Sequence, residues 1–132
     1  MCVGYYMGAR FALRSLATRP DEFLAGAAIH PGPLLTDAPD SPHHELDQVR
    51  GELYLSFADN DPSAPADLVE RLREEVARKG VRGTVEIASG AAHGFSMADL
   101  PVYDRDASER HFDQTLALWR RNLSGQSAGA AG

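Results

Sequence analysis

Read for the period of its apolar positions, the chain falls into segments that switch between two patterns. Met1 to Val3 is a short apolar stub that runs into Gly4-Tyr5-Tyr6-Met7-Gly8. Phe11, Ala12, Leu16 and Ala17 then follow at helical spacing up to Thr18, and Arg19-Pro20-Asp21 closes that helix because proline cannot extend it. Phe23 to Ile29 is an unbroken run of small apolar residues, the mark of a strand buried on both faces, and it stops at His30-Pro31-Gly32. Residues 32–44, rich in Pro, Asp and Ser, predict a loop, with a short helical turn at Glu45 to Val49. Glu52 to Phe57 alternates like a strand and ends in Ala58-Asp59-Asn60-Asp61-Pro62.

The second half repeats the switch. Leu68, Leu72 and Val76, with Val69 beside them, form an apolar stripe at helical spacing. Asp67 in the first turn, Arg78 and Lys79 in the last, and Gly80 beyond mark a helix over about 65–79. Thr84 to Ala88 predicts a strand, followed by Ser89-Gly90-Ala91-Ala92-His93-Gly94-Phe95. A last helix, roughly Asp106 to Leu123, carries Phe112, Leu116, Trp119 and Leu123 on one face. Residues 124–132 are small and polar and are expected to be a disordered tail. Strands separated by helices must pair in parallel, since only a crossover returns the chain in the same direction. The pattern therefore predicts a mostly parallel α/β sheet with flanking helices.

Composition narrows the partners. At 132 residues the chain holds at most one domain, with 43% apolar and 24% charged residues. Thirteen basic against 19 acidic residues leave a formal charge of −6. No basic cluster is present to meet nucleic acid or an anionic membrane. No apolar run reaches the ~20 residues of a membrane span, and the N-terminus does not read as a secretory leader. The single cysteine, Cys2, cannot form an internal disulfide and fits a reducing, cytoplasmic setting.

In parallel sheets chemistry collects at the carboxyl ends of strands, and three strand ends here carry candidate groups. Gly4-Tyr5-Tyr6-Met7-Gly8 has the G-x-Nuc-x-G frame of a nucleophile elbow. That sharp turn projects its central residue over a helix N-terminus, where free amides stabilise a developing anion. Two glycines four apart also mark an ordinary strand-to-helix turn. Asp61 offers a carboxylate to orient a histidine, although Asp59, Asn60 and Asp61 equally suit a turn and a helix cap. His93 sits among glycines and alanines in a tight turn, or is an incidental loop histidine. Position 6, Asp61 and His93 follow the order nucleophile, acid, histidine, each after its own strand, which is the order of α/β-hydrolases.

These segments resemble the dienelactone hydrolase family. Gly4-Tyr5-Tyr6-Met7-Gly8-Ala9-Arg10 is similar to that family's G-Y-C-M-G-[GA]-R elbow. Ala58-Asp59-Asn60-Asp61-Pro62 and Ala92-His93-Gly94-Phe95 resemble its acid and histidine segments. The likeness spans residues 1–123 and implies the C-terminal half of an α/β-hydrolase domain. It implies hydrolysis of small-molecule esters or lactones through a nucleophile-Asp-His triad, with Tyr6 at the nucleophile position, Asp61 and His93. The Met7 amide would donate to the oxyanion, and no cofactor or metal is implied. His43 and His44, near Asp37 and Asp40, are expected on the solvated surface rather than around zinc.

The sequence departs from the family in two ways. Tyr6 replaces the cysteine, and a phenol with reference pKa of about 10 and a rigid ring is a poor substitute for a compact thiolate. Cys2 cannot replace it, because no residue stands two places before it. The likeness also begins inside the elbow strand, so a second oxyanion donor and part of the pocket fall outside it. That strand is expected to be a sheet edge, covered by a dimer mate, another partner or further polypeptide. A non-catalytic relic or binding module on the same scaffold is the alternative. A nucleotide-binding α/β fold ranks last, since Gly4 and Gly8 lack the third glycine and the Lys-Ser/Thr of a phosphate cradle.

Overall fold

A computed structural model describes residues 1–124 of the chain. The elements, in order, are β1 (Cys2–Tyr5), α1 (Met7–Thr18), β2 (Ala25–Ile29), a 3-10 segment (Pro42–Gln48) and β3 (Glu52–Asn60). They continue with α2 (Ala66–Arg78), β4 (Gly83–Ala92), α3 (Arg105–Trp119) and a π turn (Arg120–Ser124). The four strands form one sheet in the order β1-β2-β3-β4, with every neighbouring pair parallel. The predicted α/β architecture is therefore present. Residues 125–132, the bulk of the expected tail, lie outside the described residues.

Alternation along each strand distributes side chains to two layers. Ala28, Leu53, Leu55, Phe57 and Val85 meet Leu13 and Leu16 of α1, Leu46 of the 3-10 segment, and Val69, Leu72 and Val76 of α2. Ala25, Ala27, Ile29, Tyr54, Ala58 and Ala91 meet Phe95, which follows β4, and Leu118 of α3 on the opposite face. The all-apolar reading of β2 holds: Ala25 to Ile29 are buried without exception. Among the described residues β1 pairs only with β2 and forms one edge, with Val3 39% exposed.

Two differences from the sequence pattern matter for the site. β4 does not end at Ala88 but runs to Ala92, through an irregularity in its pairing with β3 between Ala58 and Asn60. There the Asp59 carboxylate accepts from the Gly90 amide (2.8 Å), and the Asn60 side chain donates to the Gly90 carbonyl (3.3 Å). The small residues that read as a loop are thus clasped by the end of β3. The second difference is on α3. Phe112, Leu116 and Trp119, three of the four residues of an apparent core stripe, are 51%, 46% and 52% exposed, while Ser108, His111 and Leu118 face the sheet. Tyr5 fixes that rotation, because its hydroxyl and His111 Nε2 share a hydrogen bond of 2.9 Å. No helix among the described residues is long and apolar enough to cross a membrane.

Candidate active site

β1 enters α1 through a single residue. Tyr6 has φ 53° and ψ −124°, a backbone state that a non-glycine residue adopts only under constraint. Its amide donates to the Ile29 carbonyl (3.3 Å) and its carbonyl accepts from Ala9 (3.1 Å), which fixes the turn from both sides. Gly4 makes the turn sterically feasible, since a Cβ there would lie 2.0 Å from the Gly8 carbonyl oxygen. Gly8 itself has open space around it, so of the two glycines only the first is demanded by close approach. Met7 opens α1, where the first amides have no partner within the helix and point outward as donors. Tyr6, the central residue of the glycine frame, thus stands at a sharp, strained strand-to-helix turn.

β3 and β4 deliver the other two predicted residues and join them. Asp61 Oδ2 accepts a 2.6 Å hydrogen bond from His93 Nδ1. The other oxygen of Asp61 accepts from the Ser63 amide (2.9 Å) and hydroxyl (2.7 Å). Burial alone would raise the carboxyl's pKa, but the Ser63 bonds and the neighbouring imidazole outweigh it and hold the group below its ordinary value. Asp61 therefore both bonds His93 and forms the turn at Ser63. With Nδ1 committed to an ionised carboxylate, the free nitrogen of neutral His93 is Nε2, an acceptor. Nε2 has no partner among the described protein groups, nor is it among the buried unpartnered polar atoms, so it faces solvent.

Tyr6 does not complete a hydrogen-bonded triad. Its ring stands edge-on to His93, centroids 4.6 Å apart, and its hydroxyl lies against Gly94. Gly94, at φ +95°, has no room for a side chain, since a Cβ would fall 1.9 Å from the phenol oxygen. A hydrogen bond between Tyr6 and His93 is absent among the described residues. Beside Tyr6, Met7 and Arg10, the loop residues Gly32, Pro33 and Leu34 enclose a shallow cavity of about 220 Å³.

One residue of this constellation was not singled out from the sequence. His30, which the apolar pattern used only as the stop of β2, is fully buried, has φ 35°, and lies edge-on to Tyr6 at 4.5 Å. Its Nε2 and Ser96 Oγ share a 2.6 Å hydrogen bond, while its Nδ1 is buried without a partner among the described residues. Burial first, then the nearby His93 and His111, lower its pKa to about 4, so the ring is neutral at ordinary pH. The available signal was position: His30 follows a strand at the same sheet edge as Tyr6, Asp61 and His93. Cys2 is remote from the elbow's tip and its thiol donates to the Ala12 carbonyl. Asp37, Asp40 and His44 are exposed, and His43 bonds to Ser41 (2.5 Å). Among the described residues no group of three or more His, Cys, Asp or Glu is placed to hold a metal ion.

Known proteins extend this picture. The sequence profile of the family described as "Dienelactone hydrolase family" matches residues 1–123. No curated protein matches the chain. Among solved structures, a protein assigned as a dienelactone hydrolase from Klebsiella pneumoniae subsp. pneumoniae aligns with TM-score 0.77 and 20% identity, over 89% of this chain and 50% of its own. A dienelactone hydrolase-like promiscuous phosphotriesterase from metagenomic libraries aligns with TM-score 0.74 and 20% identity, over 91% and 51%. An acylaminoacyl peptidase from Pyrococcus horikoshii aligns with TM-score 0.69 and 18% identity, over 92% and 23%. At these identities the likeness is one of fold. The chain spans about half the length of the dienelactone hydrolase-like structures it matches.

Proposed function

The chain belongs to the dienelactone hydrolase family, and we propose that its site hydrolyses carboxylic ester or lactone bonds of small molecules. The observation that carries this is the 2.6 Å bond between Asp61 and His93, delivered by adjacent strand ends beside a strained elbow. Asp61 holds the imidazole in one tautomer and leaves Nε2 free to take a proton. Tyr6 occupies the nucleophile position, and the Met7 amide at the start of α1 is the oxyanion donor. The assignment concerns residues 1–123 as part of an α/β-hydrolase domain, in a cytoplasmic setting that suits a lone cysteine. A dimer mate or another polypeptide covering β1's edge belongs to the same proposal, supported by Val3, exposed on that edge.

Hydrolysis of a chromogenic acetate ester by the chain and by His93→Ala tests the proposal. Loss of the general base should lower turnover by about 10²- to 10⁴-fold. Turnover that is indifferent to the substitution would sink the proposal.

A second reading, a non-catalytic module on the same scaffold, is favoured by one observation. The Tyr6 hydroxyl lies against Gly94 instead of on His93. Under that reading the native chain is silent and only Tyr6→Cys, which places a short thiol beneath the imidazole, turns over ester.

A further inference from the structure

A side-chain nucleophile needs its own hydrogen bond to the base that deprotonates it. At this elbow the requirement is met on one side only. His93 is bonded to Asp61 and presents an unpartnered, solvent-facing Nε2. The phenol oxygen of Tyr6 makes no hydrogen bond to His93 among the described residues and lies against Gly94 instead. Its ring cannot swing back freely, because His30 and His93 hold it edge-on from two directions, at 4.5 and 4.6 Å between centroids. His30 in turn is immobilised by full burial and by its bond to Ser96. Among the described residues neither the phenol oxygen nor Nε2 has a hydrogen-bond partner, and the His93 side chain is partly exposed.

We infer that this site hydrolyses its ester by direct attack of water, without acylating Tyr6, and that the Tyr6 hydroxyl serves as a hydrogen-bond donor to the reacting oxygen. The inference rests on the hydrolase reading above. In the step, His93 Nε2 takes a proton from water as the water oxygen forms a bond to the carbonyl carbon. The carbonyl π pair moves onto its oxygen, where the Met7 amide and the Tyr6 hydroxyl receive the charge. When that pair returns, the bond from carbon to the leaving oxygen breaks, and the imidazolium gives its proton to the departing alkoxide. One water and one ester become one acid and one alcohol, and His93 is regenerated. His30 acts as a positioning residue that sets the plane of the Tyr6 ring.

The test uses the full chain with p-nitrophenyl acetate, by quenched-flow intact mass and by steady-state rates of native protein, Tyr6→Phe and His93→Ala. The expected result is turnover lost in His93→Ala, no acetyl group on residue 6 at any quench time, and about a tenfold fall in kcat for Tyr6→Phe, the worth of one neutral hydrogen bond. An acetylated Tyr6, or complete loss of turnover in Tyr6→Phe with His93 still required, overturns direct attack and leaves the hydrolase assignment standing. No turnover, or turnover that survives His93→Ala, removes the hydrolase assignment and the inference with it.

Discussion

The helices α2 and α3 lie on opposite faces of one sheet and turn opposite kinds of surface toward it. α2 buries Val69, Leu72 and Val76 and presents charged pairs such as Glu75–Arg78 to solvent. α3 buries Ser108, His111 and Leu118 and presents Phe112, Leu116 and Trp119 outward. An apolar stripe drives α2 onto the sheet. α3 is held by directed contacts as well: the Tyr5–His111 bond, the Arg110–Glu86 pair (2.8 Å) and the Arg121–Glu52 pair (2.6 Å). Amphipathic spacing thus announces that a helix has a greasy side, and leaves open whether that side meets its own sheet.

The largest expected effect strikes the apolar side of this contrast. Leu72→Ala empties a fully buried position under α2 and should cost about 2–5 kcal/mol in urea unfolding. A cost below about 1 kcal/mol would mean that the α2 cluster is not the main anchor.

Acid should separate the two faces next. Burial holds His30 at about 4 and also lowers His111, and both pack with the cluster under α3. Above pH 6.5 folded and unfolded chains are both neutral at His30, and the full stability is present. Between 6.5 and about 4 the unfolded chain takes up a proton that the folded one refuses, so stability falls by up to about 3 kcal/mol from His30. Urea midpoints across that window should drop in the native chain and drop less in His30→Asn, asparagine being tolerant of positive φ. Identical pH profiles for the two proteins would count against a buried neutral His30.

The smallest effect belongs to the outward stripe. Replacing Phe112 and Trp119 together by serine should change stability by about 0.5 kcal/mol or less for each residue in urea unfolding. A stability loss well above that would place the stripe against the protein's own fold.

How far the sequence carried these conclusions depends on the kind of information each one needs. The order of strands and helices was legible because period 2 and period 3.6 are local properties, and Phe23 to Ile29 declared its burial by lacking polar residues. Asp61 and His93 could be paired in advance because each follows a strand, and parallel strand ends converge on one edge. The continuation of β4 through Ser89 to Ala92 was not legible, since those residues have weak strand propensity and depend on Asp59 and Asn60 of another strand. His30 escaped notice for a related reason: its role comes from contacts with Tyr6 and Ser96, which are distant in sequence. The outward rotation of α3 required knowing that Tyr5 would claim His111.

The contact between the Tyr6 phenol and Gly94 also constrains the order in which this site could change over generations. With tyrosine at position 6, any side chain at position 94 would collide with the phenol oxygen, so residue 94 is locked by a residue on a different strand. A shorter residue at position 6 would release that lock and leave the backbone strain of φ +95° and a Val102 Cγ2 3.3 Å from the new Cβ to oppose replacement. Substitution at 6 is therefore the permissive step and substitution at 94 the dependent one. A change at Gly94 made first would force the Tyr6 ring to move, whereas a change at position 6 made first would not disturb Gly94.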